Sequence, residues 1–468
     1  MRVLLINLPF YRLMRVRHCY FPVGLGYVAA AARQAGFTVR LYDMEKDARQ
    51  QRFATNLLLA NRIAGHAAFM RALDDAGHPV WAELRQTLAA EQPQVVGISI
   101  WTTVYPVAQK VAALIKALLP QAVIVAGGIH ATVCDTEVLA DTSFDFVVRG
   151  EGEETFAALL RCLRDNPAAV ADVAGVTYRH AGRLCRAPAR SLRPVLDTLP
   201  LPARDAVLYP DRFTGRDWGC LVSARGCPFH CSFCGSHALW GRQVRARSIA
   251  AVCAEMQSLY EDKGVTFFTL FDDTFTLEQE RVRRWCEYIA GRRLPVRWFA
   301  HGRVDTVDAP MAALLRRGGC YAMQFGVESG RQNRLDALHK GVRVEQSFAV
   351  RQLFRTHRLI FWATMLIGTP GETEEDLRGT YAMLAQLQPD LVNVNAFVPY
   401  PGAQDWRQIY NRAPRDWRCY APQSRLTNFS GMPDKTWHYW RDRIERRADK
   451  LNRRTLRSWR WWWRRRAP

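Results

Sequence analysis

Short apolar strands alternate with helices through the first 160 residues, and this alternation constrains the fold more than any other feature. The strands are RVLLINLP, FTVRLYDME, QVVGISI, AVIVAGG and FDFVVRG, and helical segments such as GLGYVAAAARQAG follow them. Parallel strands need a crossover connection, usually a helix, so the pattern predicts an open, doubly wound parallel sheet of the α/β class. Residues 46–90 are predicted to be helical and polar, as an insertion or a cover.

Ligands of such sheets bind beyond the carboxyl ends of the strands. Those ends carry Pro9, Ser99, Gly127–Gly128 and the run from Gly150 to Glu153. Glycine lets the backbone approach a ligand closely, although tight turns explain these glycines equally well.

Three cysteines, Cys227, Cys231 and Cys234, stand in SARGCPFHCSFCG with the spacing C-x3-C-x2-C. Twelve cysteines in 468 residues are too sparse for a disulfide scaffold. We find no secretory signal, and the apolar runs are shorter than the roughly 20 residues of a membrane span. We therefore expect a cytoplasmic chain with reduced thiols, in which the other nine cysteines are small apolar core residues.

The cysteine run is short of the ligands that structural zinc requires. Zinc takes four ligands, usually as two pairs, but only His230 and His237 lie nearby and no second C-x2-C pair exists. Clustered thiolates otherwise suit an iron–sulfur cluster. Three ligands on a 4Fe–4S cube leave one iron open to a small molecule.

The run resembles the radical S-adenosylmethionine enzymes, with Phe233 as the aromatic residue before the last cysteine. The resemblance implies a 4Fe–4S cluster on Cys227, Cys231 and Cys234, the catalytic ligands. It also implies that S-adenosylmethionine chelates the open iron through its amino and carboxylate groups.

Six further strands alternate with helices between about residues 216 and 402, and the resemblance implies a partial (β/α)6 barrel there. Chemistry in barrels lies at the carboxyl ends of strands. The resemblance implies S-adenosylmethionine contacts at Phe233, Asp272, Asp273, Arg303, Glu328, Ser329 and Gly368. Of these, Asp272 and Asp273 would lie near the amino group, Arg303 at the methionine carboxylate, Glu328 and Ser329 at the ribose, and Gly368 with Gly371 at adenine. For Asp272 and Asp273 the alternative is a helix N-cap together with Thr274. We also expect Glu372 to cap the next helix and PYPG (399–402) to shape the substrate side.

The first 160 residues resemble the cobalamin-binding domain that precedes the radical core in one branch of this family. The matching pieces are FPVGLGYVAA, VVGISIWTT, AGGIHAT and RGEGEETF. The resemblance implies cobalamin contacts at Ser99, Trp101, Thr102, Thr103, Gly127, Gly128, His130, Glu151 and Gly152. The motif D-x-H-x-x-G, whose histidine binds cobalt from below, is absent, so we expect no protein ligand on the lower face of cobalt. For Ser99, Thr102 and Thr103 the alternative is helix capping.

These readings divide the chain into a cobalamin-binding domain (1–160), a connector (161–215), a radical S-adenosylmethionine barrel (216–402) and a basic, Trp-rich helical extension (403–468). The connector contains a predicted hairpin, VTYRHAGRLCRAPAR, followed by a Pro-rich irregular stretch.

The resemblance implies a deoxyadenosyl radical that removes hydrogen from an unactivated carbon, to which methylcobalamin then donates a methyl group. Methyl transfer to carbon of a small-molecule or lipid-like substrate is our first hypothesis. A cobalamin-dependent radical cyclase or rearrangement enzyme shares these motifs and stays open, and a non-catalytic electron carrier is the remote alternative. Reduction of the cluster implies an electron donor such as flavodoxin or ferredoxin.

The last 28 residues hold twelve Lys or Arg and three Asp or Glu, a net +9 of the formal +21 of the chain. Trp459 and Trp461–Trp463 interleave with the arginines. Such a tail is typical of a membrane interface, whereas a solvated basic helix is the alternative. No nucleic-acid motif accompanies the charge, so we expect no nucleic-acid partner.

Overall fold

The computed structural model describes residues 1–47, 55–409, 416–422, 424–425 and 427–466, without the side chains of Arg407 and of residues 459–466. No helix within these ranges is long and apolar enough to cross a membrane.

The first unit is built on a seven-stranded sheet. Its strands are β1 (Arg2–Asn7), β2 (Thr38–Asp43), β3 (Val95–Ser99), β4 (Val123–Gly127), β5 (Phe146–Val148), β6 (Val176–His180) and β7 (Arg183–Arg186). Its helices are α1 (Val23–Gln34), α2 (Leu59–Asp74), α3 (Pro79–Glu91), α4 (Tyr105–Leu118), α5 (Ile129–Val133), α6 (Asp135–Ala140) and α7 (Gly152–Asp165).

The strand order of this sheet is β2-β1-β3-β4-β5-β6-β7, and the first five strands are parallel. The order changes direction between β1 and β3, which is the doubly wound arrangement predicted from the alternation. The predicted hairpin of the connector forms β6 and β7, and it extends this sheet in antiparallel pairing instead of standing apart from it.

The second unit is a six-stranded parallel sheet in the order β15-β14-β13-β12-β11-β8. Its strands are β8 (Cys220–Leu221), β11 (Phe267–Leu270), β12 (Arg297–Gly302), β13 (Cys320–Glu328), β14 (Ile360–Ile367) and β15 (Leu391–Ala396), and a separate antiparallel pair joins β9 (Ala224–Arg225) to β10 (Arg245–Ala246). Its helices are α8 (Gly215–Trp218), α9 (His237–Trp240), α10 (Ile249–Lys263), α11 (Gln279–Gly291), α12 (Ala309–Arg317), α13 (Gln332–Ala337), α14 (Val344–Thr356), α15 (Glu374–Leu387) and α16 (Gln404–Ile409).

A long helix, α17 (Asp434–Arg466), follows the barrel and covers its last strand. Asn452 of α17 acts on the open edge of β15, where its carboxamide accepts from Val392 N at 2.7 Å and donates to Val392 O at 2.9 Å. Arg62 of α2 donates to Val394 O on the same edge. The edge strand is therefore hydrogen-bonded by side chains where a seventh strand would otherwise pair. The predicted tryptophan anchor (Trp459 and Trp461–Trp463) consists of side chains outside the described residues.

One buried apolar cluster runs from one face of the first sheet through Trp218 and into the helices around the barrel. The two units therefore share a core, and the carboxyl ends of their strands are held in a fixed relation.

Candidate cofactor and active site

The loop between β9 and α9 carries Cys227, Cys231 and Cys234 as free, half-buried thiols. Its entry requires the glycine before the first cysteine. Gly226 has a φ of 96°, and a Cβ there would lie 2.3 Å from the carbonyl oxygen of Gln243. A turn in which Cys234 N donates to Cys231 O at 3.2 Å then brings the later two cysteines together.

Burial opposes ionisation of two of these thiols, Cys227 and Cys234. Burial raises the pKa of Cys234 to about 11 and also raises the pKa of Cys227. The Arg303 guanidinium lies 4.0 Å from Cys231 Sγ, measured from its Nη1. Cysteine binds metal as thiolate, so iron must replace the proton at each sulfur.

The donor set fits a 4Fe–4S cluster. Three thiols of one loop stand together without a disulfide among them, which suits iron–sulfur ligation. Within the described ranges no three His, Cys, Asp or Glu side chains converge on the position of a single metal ion.

The two aspartates after β11 hold the cysteine loop. Asp272 is buried and accepts from Ser223 N at 2.7 Å and Ala224 N at 3.1 Å. Asp273 accepts from Ser236 Oγ at 2.6 Å. Asp272 is thus fully engaged by the strand that leads into the loop, whereas Asp273 stands at the loop surface, where it could also meet an amino group.

Arg303 faces the cysteines with its guanidinium already paired. Its Nε and Nη2 donate to the two carboxylate oxygens of Asp305, both at 2.9 Å, and the group lies 3.5 Å over the ring of Phe229. Two of the guanidinium nitrogens that we predicted to bind the methionine carboxylate therefore bind Asp305 instead. Only Nη1, directed at Cys231, is left for such a contact.

Glu328 ends β13 with a φ of 62° and accepts from Lys340 Nζ at 2.8 Å. Lys340 lies over Phe233, 5.7 Å from the ring centroid. Sequence reasoning missed Lys340, which follows α13 and carries no motif. Ser329 pairs with Thr380 at 3.2 Å and is buried. Both residues predicted at the ribose therefore have protein partners in the structure.

The loop after β14 differs from its predicted use. A Cβ on Gly368 would lie 2.5 Å from the ring of Trp437 of α17, so that glycine makes room for a tryptophan. Glu372 accepts from Thr369 N at 3.2 Å and also from Gly368 N, so it does not cap the next helix. Thr373 caps that helix, with Asp376 completing a capping box. Burial raises the pKa of Glu372 to about 7.

A cavity of about 290 Å³ lies at the carboxyl end of the first sheet. Six residues predicted for cobalamin line it, namely Ser99, Trp101, Gly127, Gly128, Glu151 and Gly152. Leu25, Val28, Val125 and Phe156 supply apolar wall. Gly128 has a φ of 90°, and a Cβ there would lie 2.7 Å from Ile100 O.

The other three residues predicted for cobalamin lie behind this lining. Thr103 donates to Tyr420 O at 2.9 Å, and Thr102 pairs with His130 Nδ1 at 3.3 Å. His130 is completely buried between Tyr105 and Trp417, and burial lowers its pKa to about 3. These three side chains support the cavity wall and do not face the cavity.

The barrel unit closes the cavity from the opposite side. Arg225, Leu239 and Trp240 line it together with the residues of the first sheet. Arg225 donates to Glu151 at 2.8 Å and to Glu153 at 2.6 Å, and it lies over the rings of Tyr27 and Trp240. Arg245 holds the other oxygen of Glu151 at 2.9 Å. We name these pairs the clasp. Sequence reasoning missed them, because charge pairing across 74 residues leaves no local pattern.

The cavity fits part of a cobalamin. Glycines form its floor and apolar side chains its walls, which suits the face of a flat ring. A whole cobalamin is larger than this volume, so only part of it fits the cavity as the structure has it. No histidine, cysteine or methionine is among the lining residues of this cavity, all of which lie in the described ranges. The lining thus contains no side chain of the kind that binds cobalt from below.

Comparison with known proteins gives two family matches. The model described as B12 binding domain matches residues 12–160, and the model described as Radical SAM superfamily matches residues 221–384. The chain is 30% identical over 359 residues to an uncharacterized methyltransferase of Pyrococcus horikoshii, covering 75% of this chain and 78% of that protein.

Two further likenesses bear on fold and reaction. The chain is 30% identical over 351 residues to the anaerobic magnesium-protoporphyrin IX monomethyl ester cyclase of Rubrivivax gelatinosus, covering 70% of this chain and 60% of the cyclase. The structure of a radical S-adenosylmethionine methyltransferase, TsrM from Kitasatospora setae, solved with cobalamin and a 4Fe–4S cluster, superposes with a TM-score of 0.68. It is 19% identical, and the match covers 88% of this chain and 78% of that one, which confirms the predicted architecture.

Proposed function

Because the chain belongs to the radical S-adenosylmethionine enzymes that carry a B12-binding domain, we propose that it methylates an unactivated carbon of its substrate. One observation carries this proposal. Arg225, Leu239 and Trp240 flank the cysteine loop and also line the cavity at the end of the first sheet. The segment that carries the cysteine loop is therefore part of the wall of this cavity.

When bound, the cluster supplies the electron that cleaves S-adenosylmethionine, and cobalamin supplies the methyl group. The protein provides position. Asp272 fixes the strand that enters the cysteine loop, and Ser232 in the middle of the loop binds Asp405 of α16 at 3.0 Å. A loop tied down at both points holds its three sulfurs in place before metal arrives.

Residue roles at the barrel are proposed for the side chains at its strand ends. We assign Cys227, Cys231 and Cys234 to the cluster and Asp273 to the amino group of S-adenosylmethionine. Glu328 is assigned to the ribose, and it would have to exchange its Lys340 partner for the hydroxyls. Trp101, Ser99 and the Gly127–Gly128 floor are assigned to cobalamin.

A cyclase or rearrangement without methyl transfer is the second candidate, and the likeness to the Rubrivivax gelatinosus cyclase favours keeping it. The two candidates differ in the fate of the methyl group. A non-catalytic electron carrier would use neither the cofactor cavity nor the polar strand ends of the barrel.

The test uses reconstituted full-length protein, a reductant, and S-adenosylmethionine with a trideuterated methyl group, in an extract of the organism that encodes the chain. Methyl transfer predicts a new compound whose mass rises by three units with the labelled cofactor. Deoxyadenosine formation with no labelled product would instead identify the second candidate. The variant with all three cysteines replaced by alanine serves as the blank.

Two partners belong to this proposal. A flavodoxin-like or ferredoxin-like donor would supply the electron, since the reaction begins with reduction of the cluster. The tail would contact anionic lipid, because α17 presents exposed cations such as Arg446, Lys450 and Arg453 ahead of its last turns. Co-sedimentation with anionic vesicles, full-length against a chain ending at Arg457, tests the contact; equal pelleting of both would refute it.

A further inference from the structure

Five rings form a row from the cofactor cavity to the mouth of the barrel. Trp101 lines the cavity and lies 6.3 Å from Tyr11; His18 then follows Tyr11 at 4.8 Å. Tyr20 follows His18 at 5.1 Å, and Phe271, directly after β11, follows Tyr20 at 5.2 Å. Trp101 and Phe271, the two ends of this ring row, are each 37% exposed.

The inner face of the barrel can be read from its strand alternation. Trp298 packs outward on Trp285 of α11, and Phe325 and Phe361 pack outward on Phe354 of α14. Residues of opposite parity therefore face the interior. They are Phe299 and His301 on β12, Gln324 on β13, Trp362 and Thr364 on β14, and Asn393 and Asn395 on β15.

Contacts within this inner face agree with the assignment. Gln324 Nε2 donates to Thr364 Oγ1 at 2.7 Å across two strands, and the rings of Phe299 and Trp362 lie 5.7 Å apart. On β14 and β15 the inner positions are half-buried where the outward residues are fully buried, whereas Phe299 on β12 is itself buried. The Nε1–H of Trp362 is buried and has no partner in the part of the chain that the structure describes.

This wall carries hydrogen-bonding groups and no charge. Strands β11–β15 lie wholly within the described residues, and their inner positions between Arg297 and the Glu328–Lys340 pair hold no Asp, Glu, Lys or Arg. Burial lowers the pKa of His301 to about 4 and that of His18 to about 3, so both imidazoles are neutral at pH 7. A carboxylate or phosphate held against these inner positions would have no cation beside it, since Arg303 and Lys340 lie at the mouth of the barrel, and burying an unpaired charge is costly.

This inference rests on the proposed methyl transfer. We propose that the substrate is a neutral, largely apolar molecule that carries one or two hydroxyl, carbonyl or amide groups. Its apolar body lies along the ring row. Its polar groups meet the carboxamides of Asn393 and Asn395 and the indole N–H of Trp362. A substrate of this class leaves no buried charge unpaired, and it gives the orphaned donor an acceptor.

The test determines the charge class of the methylated product. Wild-type holoenzyme is incubated with an extract of the encoding organism and trideuterated S-adenosylmethionine, and compounds that gain three mass units are followed; S-adenosylmethionine and methionine are set aside. We expect the labelled product to pass both anion and cation exchangers and to partition into ethyl acetate. A labelled product that is retained on an exchanger, or that stays in water, overturns the proposal and leaves methyl transfer standing. Absence of any labelled product overturns methyl transfer itself.

A charge placed in the wall provides a second, independent arm. Asn395→Asp should lower labelled product at least tenfold while iron and cobalamin contents stay at wild-type values. The same substitution at the exposed Asn166 serves as the matched control and should change nothing. Wild-type yield from Asn395→Asp with its cofactors intact overturns the proposal. If that variant loses its cofactors, the partition of the wild-type product still decides.

Discussion

The two parallel sheets present their carboxyl ends in different states. At the end of the first sheet, glycines and apolar side chains line a cavity of about 290 Å³. At the end of the barrel, the polar residues are engaged by their own protein. Asp272 holds Ser223, Arg303 holds Asp305, and Glu328 holds Lys340. The carboxyl end of the first sheet is thus open to a ligand, whereas the polar residues at the carboxyl end of the barrel hold the cysteine loop in place.

The difference shows that a polar residue at a strand end has two distinct uses. Where the side chain is small or absent, as in serine or glycine, the ligand contacts the backbone. Where it is charged and buried, it must already be paired, since an unpaired buried charge costs several kcal/mol. Ligand contact at the barrel end therefore requires exchange of partners.

The largest effect is expected from the three thiols of the cysteine loop. Replacing Cys227, Cys231 and Cys234 by alanine should reduce bound iron and deoxyadenosine formation to background, because no ligands for the cluster remain. Iron analysis and chromatography measure both. Cys185→Ala, in the exposed hairpin, is the control. Deoxyadenosine formation by the triple variant would show that the cysteine loop does not hold the cluster.

The clasp joins the two ends, and its removal should be the next most severe change. Arg225→Gln leaves the buried Glu153 without its cation and leaves Glu151 with Arg245 alone, so we expect a loss of about 3–5 kcal/mol in the free energy of unfolding. Urea denaturation measures it. Arg33→Gln, which breaks a more exposed pair with Asp205, should cost about 1 kcal/mol or less. Equal costs for the two variants would show that the sheets do not depend on each other through Arg225.

The cavity at the end of the first sheet should be sensitive to a single methyl group added to its glycines. Gly128 has φ 90° and ψ −178°, a conformation essentially restricted to glycine, so Gly128→Ala should cost about 1–3 kcal/mol and weaken cobalamin binding. For the stability readout Gly127→Ala is the matched control, because its Cβ would lie no closer than 3.8 Å to a neighbouring atom. Thermal denaturation and absorbance titration with hydroxocobalamin give the two readouts, and the wild type should bind near one to one. If Gly127→Ala and Gly128→Ala behave alike, the floor is not strained.

The smallest effect concerns pH and occurs at both ends. The pKa of Glu45 in the first unit and that of Glu372 in the barrel are both about 7, raised mainly by burial. In the unfolded chain each would release its proton near the ordinary value of 4.5. Between about pH 4.5 and 7 the folded state therefore binds more protons, and stability falls as pH rises through this window.

Replacing each carboxyl in turn tests the pH dependence of stability at the two ends separately. Glu372→Gln keeps an acceptor for Gly368 N and removes the ionisation, so its stability should fall less between pH 4.5 and 7. Glu45 accepts from Phe10 N and Tyr11 N on one oxygen and from Arg12 N on the other, so Glu45→Gln places a donor against a donor. We expect that variant to be less stable than wild type at every pH. Denaturation at several pH values checks both, and an unchanged slope in Glu372→Gln would contradict the assignment.

Local pattern in the sequence was sufficient for the framework and for the cysteine loop. Strand and helix alternation predicted both parallel sheets, and the C-x3-C-x2-C spacing predicted three thiols in one loop, because these features are set by neighbours in the chain. Gly127 and Gly128 were also placed at the cavity, since strand ends share one edge.

Pairing between distant segments could not be predicted in this way. The partner of Glu328 is Lys340 and that of Glu151 is Arg225, and no periodicity links them. Gly368 was assigned to a ligand although a tryptophan 69 positions later fills its space, and His130 was placed in the cavity although Tyr105 and Trp417 bury it. A side chain's direction depends on the tertiary packing around it, which the local pattern does not contain.

The carboxamide of Asn452 on β15 has a consequence for self-association. An open strand edge invites another copy of the chain to add its own strand, a common route to aggregation. Asn452 offers β15 the donor and acceptor of one peptide unit, and the helix that carries it covers the strand, so α17 works as an internal guard against strand exchange between molecules. Shortening the chain after Arg457 leaves that guard in place. A chain that ends before Asn452 would leave the backbone groups of the β15 edge unpaired. We expect it to precipitate, however well its two cofactor sites are formed.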